Sequence, residues 1–337
     1  MMNKRLKQGS TFLLALALTF PLLTLPGAKA ASAIDTDAEC SIEFDISGNS
    51  SELLNASIPL KLYKVASVDV SGNYTATDAF TGLDLSSVSA DNLDTAAATW
   101  SERATEAKKL LKDDTESKTV TLAQGRGTAT GLATGLYLVD TPKVTTPNYT
   151  YTFTPYLVSL PTNNYYSGNG ANDDWIYNLT KENNSAVGLK PEEHVRYGDL
   201  VINKELIDHN ATFGDKATFV FQIDITTLDN KTETRIEELT FSAAGNDSVT
   251  IKKIPAGSTV IVTEIYSGAS YKLISQNGVT ATIVANDEKE AGQSSETAVV
   301  SFTNEHDGRT NGGYGVRNNF KLDETDQYQY TKPAETK

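Results

Sequence analysis

The chain of 337 residues is poor in cysteine, and Cys40 is the only one. A single cysteine cannot form an internal disulfide, so any covalent bond that stabilises the fold has to be of another kind. The residue three positions before it is Asp37, not the aliphatic residue of a lipoprotein signal. Because Cys40, Ile42 and Phe44 alternate, they share one face of a predicted strand, and Cys40 is predicted to be buried there.

Basic residues are also scarce. The 29 lysines and arginines are outnumbered by 43 aspartates and glutamates, which gives a formal net charge of −14. A negative surface repels phosphate groups, so this balance argues against nucleic acids and anionic membranes as partners. The composition favours a soluble, secreted protein surface.

Metal-binding and catalytic motifs are missing as well. The three histidines, His194, His209 and His306, are isolated in the sequence, and no Cys/His spacing suggests a metal site. We find no EF-hand loop, no glycine-rich nucleotide loop and no serine nucleophile motif. Carboxylate pairs suited to a glycosidase occur in any acidic chain, and no pair stands out here. The sequence therefore predicts no metal and no cofactor.

Long apolar runs are absent after the first 30 residues, so no membrane span is predicted. Residues 1–30 have the pattern of a secretory signal peptide: a basic start, the apolar run Phe12–Leu25 and the small-x-small site Ala28–Ala30. Ala31–Ala33 is a second candidate cleavage site. We therefore expect the protein to be exported.

A first β-rich domain is predicted for residues 34–180. Its predicted strands are Cys40–Ile46, Ile58–Val68, Lys118–Ala123, Gly135–Asp140, Tyr149–Leu160 and Trp175–Leu179. Apolar residues between Leu93 and Leu111 recur every three or four positions, which predicts one amphipathic helix packed on a sheet. The aromatic stripe in Tyr149–Leu160 favours core packing and cross-strand pairing over a sugar-binding platform.

A second domain is predicted for residues 198–307, after a polar linker at 181–197 and before a flexible tail at 308–337. Seven or eight short strands separated by turn signals such as Asn277–Gly278 are typical of an immunoglobulin-like sandwich. The predicted fold class is therefore mainly β: two tandem immunoglobulin-like β-sandwich domains, the first with an inserted helix.

Three predicted strands of the second domain each place one polar residue on an apolar face. Lys204 shares a face with Leu200, Ile202 and Leu206, while Glu264 follows the alternation of Val260 and Val262, and Asn304 that of Val300 and Phe302. Burying one such group without a partner costs kilocalories, so the sequence predicts that the three side chains meet. The alternative is that a bulge shifts the parity and turns them outward.

The chemistry open to these three residues is specific. Loss of water favours a neutral Lys204 amine, which is a nucleophile, and a protonated Glu264. Glu264 can polarise the Asn304 side-chain carbonyl and carry protons. The predicted product is a Lys204–Asn304 isopeptide bond with release of ammonia, and Glu264 is the predicted catalytic residue.

These residues resemble the isopeptide-forming Cna B-type domains of Gram-positive surface proteins and pilins. The resemblance lies in LVINKEL at Leu200–Leu206, PAGSTVIVTE at Pro255–Glu264 and VSFTNEHDG at Val300–Gly308. The first domain resembles the N-terminal domain of Gram-positive pilins through LYKVA, GLYLV, FTPYLVSLP and WIYNL, in that order. The resemblance implies a cell-wall fimbrial subunit whose partners are other pilin subunits and a sortase.

The first domain is predicted to lack an isopeptide bond of its own. Lys61 and Lys64 lie in its second predicted strand, but the first strand, CSIEFDI, contains no lysine. Asp140 has the opposite parity to Tyr137 and Val139, which places it on the other face, and Asn178 alternates with presumed core residues.

The resemblance also implies a lysine to which a sortase joins the next subunit. The usual Tyr-Pro-Lys-Asn motif is missing, and the candidates are Lys190, beside Pro191, and then Lys181. An ordinary solvated lysine is an equally good interpretation of each. No LPxTG-type signal is found near the end of the given sequence, so either the sequence continues or another anchoring route is used.

Three functions are consistent with these patterns. The first is a structural pilus subunit that cross-links itself once and is not a turnover enzyme. The second is a surface adhesin for cell adhesion, which binds a host glycan or matrix protein through the loop Asn163–Asp174. The third is a secreted hydrolase. The predicted location is the cell surface, and the first function is our prediction.

Overall fold

Strands make up about half of the residues that the structure describes and helices far fewer, so the mainly β class is confirmed. The structure is a computed structural model that describes residues 32–90, 97–163, 175–183, 185–287, 296–309, 319–322 and 328–331. The chain divides into two compact units, Met1–His194 and Val195–Lys337, which we call unit 1 and unit 2. The predicted signal peptide at 1–30 lies outside the described residues.

The described part of unit 1 contains β-strands, two α-helices and a 3-10 turn at Asp78–Phe80. The helices are α1 (Ser51–Asn55) and α2 (Ala97–Leu110). The strands are β1 (Glu39–Asp45), β2 (Ile58–Val68), β3 (Tyr74–Ala76), β4 (Lys118–Leu122), β5 (Arg126–Ala133), β6 (Gly135–Asp140), β7 (Val144–Thr145), β8 (Tyr149–Phe153), β9 (Tyr156–Leu160), β10 (Thr162–Asn163), β11 (Trp175–Ile176), β12 (Asn178–Leu179) and β13 (Pro191–Val195).

The main core of unit 1 lies between two groups of strands. On one side β2 and β6 are central in the order β3-β2-β6-β9, with β4 also paired to β2. On the other side are the sheets β12-β1-β5 and β13-β8-β7. Cys40, Ile42 and Phe44 of β1 point into this core and are at most 1% exposed, which confirms the predicted buried face.

Helix α2 covers the opposite face of the β2–β6 sheet, so this sheet is apolar on both sides. Ala104 and Ala107 are fully buried against Leu136 and Leu138 of β6. Small alanine side chains let the helix backbone approach the sheet closely. The predicted helix began at Leu93, and residues 91–96 lie outside the described part of the chain.

The predicted strand Tyr149–Leu160 is wrong as one element. It is divided into β8 and β9, which belong to different sheets. The division falls at Thr154 and Pro155, and proline has no N–H to donate to a ladder, so it is seldom found inside a strand. Tyr151 and Phe153 of β8 are nevertheless buried in the main core.

Part of the predicted linker 181–197 packs on unit 1. Val187 and Leu189 pack on the main core of unit 1, and Pro191–Val195 form β13 beside β8. The two units divide between His194 and Val195. The composition of this segment is polar, but its few apolar residues are enough to attach it to the core.

Unit 2 is a sandwich of two four-stranded sheets, in the orders β17-β14-β21-β19 and β16-β15-β18-β20. A 3-10 turn is formed by Ala211–Phe213. The strands are β14 (Tyr197–Leu206), β15 (Ala217–Thr226), β16 (Thr232–Phe241), β17 (Gly245–Pro255), β18 (Thr259–Tyr266), β19 (Tyr271–Leu273), β20 (Val279–Thr282) and β21 (Ala298–His306).

The apolar core of unit 2 lies between these sheets and follows the period-two pattern of the sequence. In β15, every second residue from Ala217 to Ile225 is buried. The first strand of the unit, β14, pairs in parallel with the last, β21. Both occupy central positions in their sheet, which places their inward side chains in the middle of the core.

Two short strands of the predicted tail form a hairpin. They are β22 (Asn319–Leu322) and β23 (Tyr328–Thr331), which pair antiparallel with Phe320 opposite Tyr330. The rest of the tail from residue 310 onward lies outside the described residues.

Candidate cross-linking site in unit 2

The three polar residues singled out in the sequence come from three strands on two facing sheets. Lys204 projects from β14 and Asn304 from β21, and Glu264 projects from β18 in the opposite sheet. The parallel register sets Leu206 opposite Asn304, so Lys204 lies two residues back along the neighbouring strand. The long lysine side chain spans this offset.

The three side chains form a closed triangle of polar contacts. Lys204 Nζ donates a short hydrogen bond to Asn304 Oδ1 and lies 3.0 Å from Glu264 Oε2. Asn304 Nδ2 donates to Glu264 Oε1 across 2.6 Å. We expected Glu264 to bind the Asn304 carbonyl, but it faces the amide nitrogen instead, while the oxygen faces Lys204.

Water is excluded from this triangle. Lys204 is 1% exposed, Glu264 5% and Asn304 0%. The ring of Phe219, itself fully buried, lies 4.5 Å from Lys204 Nζ. Burial lowers the pKa of the Lys204 amine from its usual value, although the hydrogen bond and charge of Glu264 act in the other direction.

Two residues of this site were missed in the sequence. Phe219 lies in the run Ala217–Thr226, where apolar residues alternate, and this alternation alone would have placed it in the core. Asn277 was predicted only as a turn residue, but its side chain binds the backbone of Glu264 through two hydrogen bonds. No period or motif in the sequence signals that second contact.

Unit 1 has no equivalent triangle among its described residues, where no lysine, asparagine, aspartate or glutamate is buried. Asp140 lies on the helix side of β6, as its parity predicts, and forms an ion pair of 2.7 Å with Lys108 of α2. Asn178 is exposed and accepts a hydrogen bond from Ser41. Lys61 lies opposite Asp140 in the ladder between β2 and β6, and Lys64 opposite Tyr137.

The two candidate linkage lysines are exposed in unit 1. Lys181 Nζ lies 2.8 Å from Asp45 Oδ2, and this ion pair helps to hold the pKa of Asp45 well below its usual value. Lys190 Nζ lies over the ring of Tyr156, 5.7 Å from its centroid. Lys181 is thus paired with a carboxylate, while Lys190 rests on an aromatic face.

Comparison with known proteins gives a family model and a set of solved structures. Residues 200–307 match a family described as a domain of unknown function, DUF5979. No curated protein matches the chain.

Three solved pilins illustrate the structural likeness. The major pilin SpaD from Corynebacterium diphtheriae is 13% identical, with a TM-score of 0.25 over 81% of this chain and 99% of that one. The minor pilin GBS52 from Streptococcus agalactiae is 14% identical, with a TM-score of 0.22 over 86% and 96%. The shaft pilin SpaA from Lactobacillus rhamnosus GG is 11% identical, with a TM-score of 0.25 over 81% and 100%. The chain is similar to Gram-positive pilins.

Other predicted features are placed as follows. No helix in the described part of the chain is long and apolar enough to cross a bilayer. No group of three or more histidine, cysteine, aspartate or glutamate side chains there is arranged to hold a metal ion. Most of the loop Asn163–Asp174, the predicted adhesin contact, lies outside the described residues.

Proposed function

We propose that the protein is a structural subunit of a cell-surface pilus whose unit 2 forms an intramolecular isopeptide bond between Lys204 and Asn304. The observation that supports this proposal is the buried triangle of Lys204, Glu264 and Asn304. A lysine and a carboxylate at 0% side-chain exposure are costly to bury for stability alone. A reaction between the lysine and the asparagine gives them a function.

The geometry suggests how the proton moves. Transfer of a proton from Lys204 Nζ to Glu264 Oε2, 3.0 Å away, leaves a neutral amine and a carboxylic acid. Burial lowers the pKa of Lys204 and so acts in favour of the neutral amine. The amine is then a nucleophile next to the Asn304 amide.

The reaction forms one C–N bond and breaks another. Lys204 Nζ forms a bond to Asn304 Cγ, and the Asn304 Cγ–Nδ2 bond breaks. Glu264 passes the proton lost by the amine to Nδ2, which already donates to its Oε1 at 2.6 Å, and ammonia leaves. Glu264 acts once per molecule, so the reaction is maturation and involves no turnover.

Intact mass of the purified chain without residues 1–30 tests the cross-link. The measured mass should be lower than the sequence mass by one ammonia, and Glu264→Ala should restore the full mass. Glu205→Ala is the matched control, because Glu205 is an exposed carboxylate on the same strand as Lys204 and should leave the cross-link intact. A wild-type chain of full mass would contradict the proposal.

The pilus role is supported by the pilin-like motifs of both units, and it implies that a sortase joins subunits. We propose Lys190 as the linkage lysine, because its ammonium lies on a ring and is not held by a carboxylate as Lys181 is. Incubation with a sortase and an LPxTG-type peptide should give an adduct that peptide mapping places on Lys190. An adduct that survives Lys190→Ala and disappears in Lys181→Ala would reverse this choice.

A further inference from the structure

We propose that Asn277 is a positioning residue for the cross-linking reaction, holding the Glu264 backbone so that its carboxyl group reaches both reaction partners. This inference rests on the proposed isopeptide bond. Asn277 lies outside the buried triangle. The evidence for its role is the pairing of strand β18 along each of its two edges.

On one edge, the ladder between β18 and β20 ends before Glu264. Its last pair is Val262 opposite Val279. Two residues further along β18 is Glu264, and the same register would set residue 277 opposite it. Residue 277 precedes β20, so no strand backbone pairs with Glu264 on this side.

The side chain of Asn277 takes the place of that missing strand. Its Oδ1 accepts the Glu264 N–H across 2.8 Å, and its Nδ2 donates to the Glu264 carbonyl across 3.1 Å. The same Oδ1 also accepts the N–H of Gly278, whose φ of +67° lies in the left-handed region. One amide group thus reproduces both hydrogen bonds of an antiparallel partner and fixes its own turn.

On the other edge, β18 leaves the regular register immediately after Glu264. Phe221 of β15 pairs with Glu264, but Val220 pairs with Tyr266, so Ile265 forms a bulge. Tyr266 would point inward by simple alternation, yet it is 48% exposed. Glu264 is therefore the last inward residue of its strand, and the regular register of the ladder with β15 ends at its pair with Phe221.

Both carboxyl oxygens of Glu264 need accurate placement. Oε1 lies 2.6 Å from Asn304 Nδ2, and Oε2 lies 3.0 Å from Lys204 Nζ. A displacement of about 1 Å in a reacting group can cost about 100-fold in rate. Asn277 itself is exposed, so water can replace its hydrogen bonds and its loss should spare the core while loosening Glu264.

The test measures the rate of cross-linking in the full chain without residues 1–30. Each chain is produced as inclusion bodies and dissolved in guanidinium before it has folded, so that the triangle has not yet assembled, and it is then diluted to refold. Intact mass follows the loss of ammonia, and far-UV circular dichroism follows refolding in the same samples. We expect Asn277→Ala to regain the native spectrum and to cross-link about 10- to 100-fold more slowly than wild type.

Two further variants separate positioning from a general structural role. Gln276→Ala removes the exposed amide next to Asn277 and should cross-link at the wild-type rate. Asn277→Asp keeps the acceptor for the Glu264 N–H and loses the donor to its carbonyl, so its rate should lie between those of wild type and Asn277→Ala. If Asn277→Ala fails to fold, Asn277→Asp against wild type is the deciding comparison.

The outcomes are distinct. A natively folded Asn277→Ala chain that cross-links within about twofold of wild type would overturn the inference and leave the isopeptide bond standing. The inference would also be overturned if Asn277→Asp cross-linked at the wild-type rate, or if Gln276→Ala lost as much rate as Asn277→Ala. A wild-type chain that loses no ammonia would overturn the isopeptide bond and this inference together.

Discussion

In each unit the first long strand pairs in parallel with a strand late in the unit, but the side chains beside that pairing differ. In unit 1, β1 pairs in parallel with β12, and the inward residues of β1 are Cys40, Ile42 and Phe44. In unit 2, β14 pairs in parallel with β21, and the corresponding region contains Lys204 and Asn304. Similar strand pairing therefore accommodates either apolar side chains or buried polar ones.

The difference shows what each unit relies on for stability. Unit 1 has a second apolar layer under α2 and several surface hydrogen bonds around β12. Unit 2 has no described α-helix, and part of its core is occupied by an ion pair that is weak evidence for stability by itself. An amide bond between Lys204 and Asn304 would compensate for that polar centre.

The largest loss of stability is expected from two variants of the buried triangle in unit 2, both of which prevent the bond but leave different groups buried. Lys204→Met removes the cross-link together with the buried lysine amine, and it should lower the free energy of unfolding of unit 2 by about 4.7 kcal/mol, the value for a closed loop of 100 residues. Glu264→Ala also prevents the bond but leaves Lys204 unpaired, which should cost about 3–5 kcal/mol more.

Guanidinium titrations can assign these losses to one unit. Trp100 and Trp175, the two tryptophans of the chain, both lie in unit 1. The tryptophan fluorescence transition should therefore stay in place in both variants, while the far-UV circular dichroism transition of unit 2 moves to lower denaturant. Equal stability of Lys204→Met and wild type would show that no bond supports unit 2.

The second prediction reverses the comparison by weakening unit 1. Phe44 is 0% exposed in β1, and Phe44→Ala should cost about 3–5 kcal/mol because it leaves a cavity in the main core. The tryptophan transition should shift while the mass still shows loss of one ammonia. A change in the cross-linked fraction would contradict the expectation that Phe44→Ala leaves unit 2 unaffected.

The third prediction concerns acid. Asp45 accepts hydrogen bonds from Lys181 and Ser47, which lower its folded pKa from 3.8. A carboxyl group with a depressed folded pKa adds stability above its unfolded pKa, and this stability is lost as the pH falls below that value. Between about pH 5 and pH 3, wild-type unit 1 should lose about 1 kcal/mol more than Asp45→Asn.

Tryptophan-detected unfolding at both pH values measures this difference. Unit 2 in the same samples is the internal reference, since Asp45→Asn should leave its transition unchanged at each pH. The same pH dependence in wild type and Asp45→Asn would show that the Asp45–Lys181 pair contributes nothing.

The smallest effect is expected at the helix of unit 1. Lys108 pairs with Asp140 at 2.7 Å, but its side chain is 44% exposed. Exposed ion pairs contribute about 0.2–1 kcal/mol, so Lys108→Ala should shift the tryptophan transition only slightly, and less at high salt. A loss above about 2 kcal/mol would indicate that the pair anchors α2 more firmly than its exposure suggests.

The meeting of the three polar residues could be predicted because a buried face fixes strand parity. A shift of one residue in β14 would turn Leu200, Ile202 and Leu206 toward solvent, so the apolar pattern determines where Lys204 points. The same argument predicted the buried Cys40 and the outward side of Asp140. Alternation is informative wherever one face of a strand is covered.

Features that depend on distant contacts could not be predicted in this way. The polar composition of 181–197 predicts a linker, but packing of Leu189 and pairing of β13 with β8 attach it to unit 1. The missing N–H of Pro155 could have predicted the division between β8 and β9. It could not have predicted that β9 joins a different sheet. The contact of Asn277 with Glu264 depends on where two ladders end, which no local pattern encodes.

The parallel pairing of β14 and β21 has a mechanical consequence. The sandwich of unit 2 begins with β14 and ends with β21, so a pull on the start of β14 and the end of β21 would slide these two strands past each other. Seven residue pairs, from Leu200–Ala298 to Leu206–Asn304, would be sheared together. With Lys204 bonded to Asn304, the force would pass from strand to strand through one side-chain link, and the residues between these two positions would bear no load.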